Sequence, residues 1–306
     1  MASTQLRAGV IGLGDIGRGV ASALVRAEIP LSVCDIRPEA SAAFADSATV
    51  AADPAALASA SDVIVVAVVN DVQVRSVLDP DTGALSKAPP DAVVLVLSTI
   101  SLATLDAVSD MAGSRGAHVV DCGVSGGPAA ATEGSLVSML GGDDAALDRV
   151  TPVVEAFSSL VVRMGPLGAG MQAKLARNLV QYGSWLAAFE AQVLAEAAGI
   201  DLHKLAKVIR ASDEKIGGAS RLMFRATSAP FSPDDNDVLV DAMRAGADLA
   251  RKDLRAALEL ADHLGVSLPL AAMTEARADA VFGLAPDRAG MDGAVPTAAT
   301  TGGGAS

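Results

Sequence analysis

The sequence predicts an α/β protein: a doubly wound parallel sheet in the N-terminal half, an all-α C-terminal domain, and a long helix joining them. Three observations support this. Short Val- and Ile-rich runs alternate with helical stretches over residues 1–164, a glycine-rich turn follows the first run, and every later segment has a helical pattern. Continuous apolar runs between helices are typical of strands buried on both faces of a parallel sheet.

The elements follow in chain order. We expect strands at Ala8–Ile11, Leu31–Asp35, Val63–Val68, Val93–Leu97 and His118–Asp121, and helices between them at Asp15–Arg26, Asp71–Leu78 and Leu102–Met111. The segment Met171–Ala198 contains no proline and predicts a helix of about 42 Å at ~1.5 Å per residue, long enough to link two domains. Further helices are expected at Asp201–Ala211, Asp237–Leu264 and Leu268–Val281.

These elements predict three parts of the chain. The sheet domain occupies residues 1–164 and the helical domain residues 165–284. The remainder, 285–306, is rich in Ala, Gly, Pro and Thr, a composition typical of a disordered tail.

The composition excludes several classes of partner. A net charge of −13 opposes binding to nucleic acid and to anionic membrane surfaces. The same charge means that an anionic substrate must be held by local groups. Cys34 and Cys122 are the only cysteines, so we expect neither a metal site nor a disulfide framework. No signal peptide or membrane-spanning run is recognised, and a cytoplasmic protein is expected.

The glycine-rich turn GLGDIG predicts a dinucleotide-binding site of the Rossmann type. It follows a strand, opens a helix and precedes an acidic residue, Asp35, at the end of the next strand. The helix start then offers free N–H groups to phosphates. The expected cofactor-binding residues of this turn are Gly12, Leu13, Gly14, Asp15, Ile16 and Gly17. The alternative for GLGDIG is a plain strand–turn–helix.

The choice between the two cofactors depends on charges at the end of the second strand. Asp35 can accept the ribose hydroxyls of NAD, and its charge opposes the 2′-phosphate of NADP. Arg37 opposes this preference because a guanidinium can meet that phosphate. We therefore expect NAD, with NADP as the alternative.

Two further motifs lie at predicted strand ends, where ligands of open α/β sheets bind. Thr99 follows the fourth strand and can reach the nicotinamide half of the cofactor; the alternative is a helix start with Ser101 as N-cap. The run Ser125-Gly126-Gly127 offers a hydroxyl and unhindered N–H groups to a carboxylate. Its alternative is a loop that uses glycine only for turn geometry.

The start of the long helix carries the residues that suit proton transfer. Lys174 and Asn178 are four residues apart and share a helix face, with Gln181 and Trp185 near the same stripe. An exposed Lys–Asn pair is the alternative. The pair Lys252-Asp253 lies on a later helix and by itself indicates a solvent face.

In this order and spacing, GLGDIG, VSGG, GPLGAGMQAKLARN and KDL make residues 7–282 resemble the β-hydroxyacid dehydrogenase family, which includes 3-hydroxyisobutyrate dehydrogenase. The resemblance implies that Lys174 is the catalytic acid/base and that Asn178 binds the substrate. It implies a substrate acid group on Ser125, Gly126 and Gly127, and dimers or tetramers. It also implies cofactor contacts from Val68, Val69, Thr99 and Lys252.

Some positions depart from the family pattern. Gly123 stands where the family usually has proline, Ala245 stands where it has phenylalanine, and Gln181, Tyr182 and Trp185 are larger than is common there. These departures bear on the identity of the hydroxyacid. The alternatives are an imine reductase, a class that usually lacks the lysine, and a non-catalytic dinucleotide-binding protein.

Overall fold

The computed structural model describes residues 6–225 and 228–285. Its contacts divide the chain into two compact units, Met1–Asn178 and Leu179–Ser306, which we call the sheet unit and the helical unit. The domain bounds expected from the sequence stay a prediction. Of the predicted disordered tail, 285–306, only Ala285 belongs to the described residues.

The sheet unit contains one eight-stranded sheet of order β3-β2-β1-β4-β5-β6-β7-β8. Neighbouring strands are parallel except β6 and β7, which are antiparallel. The strands are β1 Ala8–Ile11, β2 Leu31–Cys34, β3 Thr49–Val50, β4 Val63–Val66, β5 Val93–Val96, β6 His118–Ser125, β7 Leu136–Gly141 and β8 Ser158–Gly165. The helices are α1 Asp15–Arg26, α2 Pro38–Ala42, α3 Pro54–Ser59, α4 Asp71–Val77, α5 Leu102–Gly113, α6 Gly127–Glu133 and α7 Asp144–Glu155.

Strands β1, β4 and β5 are buried on both faces of the sheet, which explains why these strands are continuously apolar. In β4, Val63 and Val65 belong to the core on one face, and Ile64 and Val66 belong to the core on the other. Such alternation follows from the two-residue period of a strand. Helices α1, α6 and α7 contribute to the first core, and α3, α4 and α5 contribute to the second. The predicted fold class, an α/β Rossmann sheet with a helical C-terminal part, is confirmed.

Three strands were not expected, and one is longer than expected. The sequence indicated β6 only as far as Asp121, but the strand continues to Ser125 because its last residues pair with β7, from Asp121 opposite Gly141 to Ser125 opposite Val137. Strand β3 has only two residues, and β8 is largely exposed, so neither has the buried apolar run that marks the other strands.

The long helix α8 spans Ala169–Ala197 and is the expected long helix with slightly different bounds. It begins in the sheet unit and continues in the helical unit. The later helices are α9 Leu202–Ile216, α10 Asp237–Leu264, α11 Pro269–Ala276 and α12 Ala278–Val281. One helix was expected over Leu268–Val281, but it is interrupted at Arg277, which ends α11 and precedes α12. Within the described ranges, no helix has the length and apolar character needed to cross a membrane.

Candidate functional site

The turn between β1 and α1 is closely packed at Gly12 and Gly17 and open at Gly14. Gly12 has a φ of +91°, and a Cβ there would lie 2.6 Å from the Ala67 carbonyl oxygen. A Cβ on Gly17 would collide with the Gly12 carbonyl oxygen, so helix and turn pack too closely for a side chain. Gly14 is exposed, has open space around it and gives α1 no side-chain cap. The first N–H groups of α1 are therefore available to phosphate oxygens.

Asp35 follows β2 and lies beside this turn. The Leu13 backbone N–H donates to Asp35 Oδ2 at 2.6 Å, and the Arg37 Nε–H donates to Asp35 Oδ1 at 3.0 Å. Burial raises the pKa of the Asp35 carboxyl, but the hydrogen bonds from Arg37 and Leu13 outweigh it and hold the pKa below its usual value. The carboxylate thus supports the glycine-rich turn, a role that the sequence did not indicate, and its expected contact with the ribose stays a prediction.

The loops after β4 and β5 are tied together by two polar side chains. The Ser98 hydroxyl accepts from the Val68 N–H at 2.9 Å and donates to the Val68 carbonyl at 2.8 Å. The Asp71 carboxylate accepts from the backbone N–H and the hydroxyl of Ser101, and these bonds lower its pKa to about 2. Sequence reasoning indicated neither contact, because each joins residues 30 positions apart in the chain.

The expected cofactor contacts on these loops are accessible. Val69 is 82% exposed, Val68 is partly buried, and Thr99 is exposed between two buried neighbours. Ser101 also serves as the N-cap of α5, its hydroxyl accepting from the Thr104 N–H. The helix-start alternative is therefore correct for Ser101, while Thr99 remains accessible to a ligand.

The VSGG segment forms the turn from β6 into α6. Ser125 ends the strand, Gly126 has a φ of +131° and Gly127 has a φ of +75°, values that favour glycine. A Cβ on Gly127 would meet no atom within 4 Å, so the space beside this residue is open. The turn is therefore open at Gly127, and its expected binding of a carboxylate stays a prediction.

Lys174 lies directly beside this segment. Its Nζ donates to the carbonyl oxygen of Val124 at 2.5 Å, and Val124 is the residue before Ser125. A Cβ on Gly123 would lie 2.5 Å from the Lys174 Cβ, so a side chain there would displace the lysine. This contact explains why glycine at position 123 suits this chain. The structure therefore brings together two motifs separated by about 50 residues of sequence, as the prediction requires.

The environment of Lys174 lowers the pKa of its side chain. Burial of the side chain is the larger cause of this lowering, and the nearby positive charge of Arg177 is the smaller one. Asn178 is partly buried one helical turn further along α8, and its Oδ1 lies 3.5 Å from Arg177 Nη1. A lowered pKa brings a lysine closer to the range in which a general acid/base works.

Lys252 is placed in the helical unit. It lies on α10, is largely exposed and forms an ion pair with Asp253 at 3.2 Å. Its expected contact with a cofactor stays a prediction. Gln181, Tyr182 and Trp185 also belong to the helical unit, as later residues of α8.

Comparison with known proteins covers almost the whole chain. Residues 7–165 match the family described as the NAD binding domain of 6-phosphogluconate dehydrogenase, and residues 168–295 match that described as NAD-binding of NADP-dependent 3-hydroxyisobutyrate dehydrogenase. An uncharacterized oxidoreductase of Mycobacterium tuberculosis is 40% identical over 278 residues, which cover 91% of this chain and 94% of that protein.

Two further proteins show the same relationship. The L-threonate dehydrogenase of Cupriavidus necator is 34% identical over 266 residues, which cover 86% of each chain. A crystal structure of a protein from Mycobacterium avium is similar with a TM-score of 0.85 and 37% identity, covering 92% of this chain and 99% of that one.

Proposed function

This chain belongs to the β-hydroxyacid dehydrogenase family of NAD(P)-dependent dehydrogenases, and we propose that it transfers a hydride between NAD and a small β-hydroxyacid or its semialdehyde. The substrate class is that of 3-hydroxyisobutyrate. The observation that carries the proposal is the Lys174 ammonium 2.5 Å from the Val124 carbonyl, next to the Ser125–Gly127 turn. The proposed acid/base, Lys174, then lies beside the turn proposed to hold the acid group of the substrate.

The residues divide the reaction between them. When bound, the nicotinamide gives or takes the hydride at the substrate carbon. Neutral Lys174 takes the proton of the alcohol during oxidation, and charged Lys174 returns it to the carbonyl oxygen during reduction. Asn178 orients that oxygen, and Ser125, Gly126 and Gly127 hold the acid group.

The role of Lys174 is tested by its removal. Lys174→Ala should lower kcat by at least about 100-fold, the lower range for loss of a general acid/base, with cofactor affinity unchanged. Lys87→Ala removes an exposed lysine of the same unit and serves as the matched control. A folded Lys174→Ala variant with the kcat of the control would refute the proposed role.

The acid group of the substrate is tested by neutral analogues. The chain carries a net charge of −13, so a carboxylate needs a local site, and the Ser125–Gly127 turn supplies one. Hydroxyacids should therefore have a much higher kcat/KM than their amides or alcohols. Equal values would contradict the carboxylate site. Turnover of imines alone would support an imine reductase, and cofactor binding without turnover would support a non-catalytic protein.

We also propose that the protein forms a homodimer or homotetramer through the exposed apolar face of α8. The large side chains of this face are Leu179, Tyr182, Trp185, Leu186 and Phe189, each 47–74% exposed. Burial of one such side chain contributes roughly 1.5–3 kcal/mol, so several of them together can offset the entropy lost on association. The cytoplasmic location expected from the sequence stays a prediction.

A further inference from the structure

We propose that Asp121 is a positioning residue, whose buried carboxylate fixes the first turn of α8, and with it Lys174, against the strand that carries the Ser125–Gly127 turn. The inference rests on the proposed acid/base role of Lys174. It extends that role to a residue outside the catalytic and cofactor-binding sets described above.

The first turn of α8 takes its cap from another part of the chain. Gly168, which precedes the helix, has no side chain to accept the first N–H groups. Asp121 supplies the acceptors: the Gly168 N–H donates to its Oδ1 at 2.7 Å, and the Met171 N–H donates to its Oδ2 at 2.6 Å. The side chain of Asp121 is fully buried, so water does not replace these bonds.

The packing around this carboxylate leaves the helix start no room to shift. A Cβ on Gly141 would collide with Asp121 Oδ1, and a Cβ on Gly170 would collide with the Met139 carbonyl oxygen. A Cβ on Gly123 would likewise collide with the Lys174 Cβ. Small residues on β6, β7 and α8 thus allow the helix to lie directly on the strands at the position that Asp121 defines.

The position of this first turn decides where Lys174 points. Met171, which Asp121 caps, lies one helical turn before Lys174, and Lys174 reaches the Val124 carbonyl on the strand of Asp121. Displacement of the helix start therefore changes the distance between the amine and the Ser125–Gly127 turn. A displacement of a catalytic group by about 1 Å can lower a rate by about 100-fold.

The charge of Asp121 remains compatible with this role. Burial raises the pKa of its carboxyl, and hydrogen bonds from the backbone N–H groups of Gly168, Met171 and Gly170 oppose that rise. The pKa of Lys174 itself is lowered by burial and by Arg177. We therefore expect Asp121 to affect catalysis through the position of α8.

The variant Asp121→Asn tests the proposal, because an amide keeps the shape but offers only one acceptor to two N–H groups. Asp143→Asn is the matched control: Asp143 caps α7 in the same unit by accepting the Ala146 N–H at 2.9 Å. We expect Asp121→Asn to lower kcat about 10- to 100-fold with cofactor KM unchanged. The pH limb assigned to Lys174 should move to higher pH, because a loosened helix exposes the amine. The control should keep both values.

A folded Asp121→Asn variant with the kcat and pH limb of the control would overturn the inference. If Asp121→Asn does not fold, Gly170→Ala displaces the helix start while keeping the carboxylate, and full activity of that variant would overturn the inference equally. Lys174→Ala in the same assays separates the two proposals. Full activity of Lys174→Ala would refute the acid/base role, whereas its loss of activity beside full activity of Asp121→Asn would refute only the positioning role. Amide hydrogen exchange at Met171 then decides for Asp121: faster exchange in Asp121→Asn but not in Asp143→Asn supports the cap, and unchanged exchange contradicts it.

Discussion

The two halves of α8 are surrounded very differently. From Ala169 to Asn178 the helix is capped by a buried carboxylate, and its lysine is partly buried with a hydrogen-bonded amine. From Leu179 to Phe189 the same helix exposes large apolar side chains, among them Trp185, whose ring centroid lies 5.3 Å from that of Tyr182.

This difference suits the two tasks that we propose for one continuous helix. The first half is tied to the sheet by the Asp121 carboxylate, which suits the proton transfer proposed for Lys174. The second half presents an apolar surface larger than a scattered exposed residue would require, which is typical of a protein–protein interface. The predictions below test whether the two tasks are separable.

The largest effect is expected in the second half of α8. The double variant Leu186→Asp/Phe189→Asp places two charges in the apolar face and should convert the oligomer into the 30.5 kDa monomer. Light scattering at micromolar concentration measures this change. Ala187→Asp, at an exposed residue that lies at least about 140° around the helix from Tyr182, Trp185 and Phe189, should leave the oligomer intact.

Cofactor affinity of the double variant should remain that of the wild type, because the cofactor-binding residues proposed on the glycine-rich turn belong to the sheet unit. A wild-type protein that is monomeric at this concentration would contradict the assigned task of the second half.

A smaller effect is expected for cofactor choice, which we assign to the sheet unit. Wild type should prefer NAD to NADP by about tenfold, equivalent to ~1.4 kcal/mol, because the Asp35 carboxylate repels the 2′-phosphate. Asp35→Asn keeps an acceptor for the Leu13 N–H but frees Arg37 from its ion pair, so the preference should fall. Arg37→Gln should increase it.

The measurement is kcat/KM for both cofactors at one salt concentration. A wild type that prefers NADP, or an unchanged ratio in Asp35→Asn, would show that Asp35 has a different role, such as support of the turn alone.

The sequence predicted those parts of the site that depend on local pattern. GLGDIG was informative because Gly12 and Gly17 have no room for a side chain within one turn. Lys174 and Asn178 were informative because helical spacing places them on one face. Strands such as β4 were predicted because both of their faces are buried.

The missed features depend on contacts between distant residues. Asp121 caps a helix that begins about 50 residues later, and Ser98 joins a loop 30 residues earlier. Neither pairing leaves a periodic or local signal in a single sequence. The extension of β6 to Ser125 was missed for the same reason, because it depends on antiparallel pairing with β7 across an intervening helix.

The most direct test of the central claim, that Lys174 is the acid/base, is the pH dependence of kcat in Arg177→Gln. Burial and the charge of Arg177 lower the pKa of Lys174, so removal of that charge should raise the pKa and move the limb of the profile to higher pH. Arg177→Lys keeps the charge and should leave the limb in place. A limb at the same pH in Arg177→Gln and wild type, or one that survives in Lys174→Ala, would contradict the account.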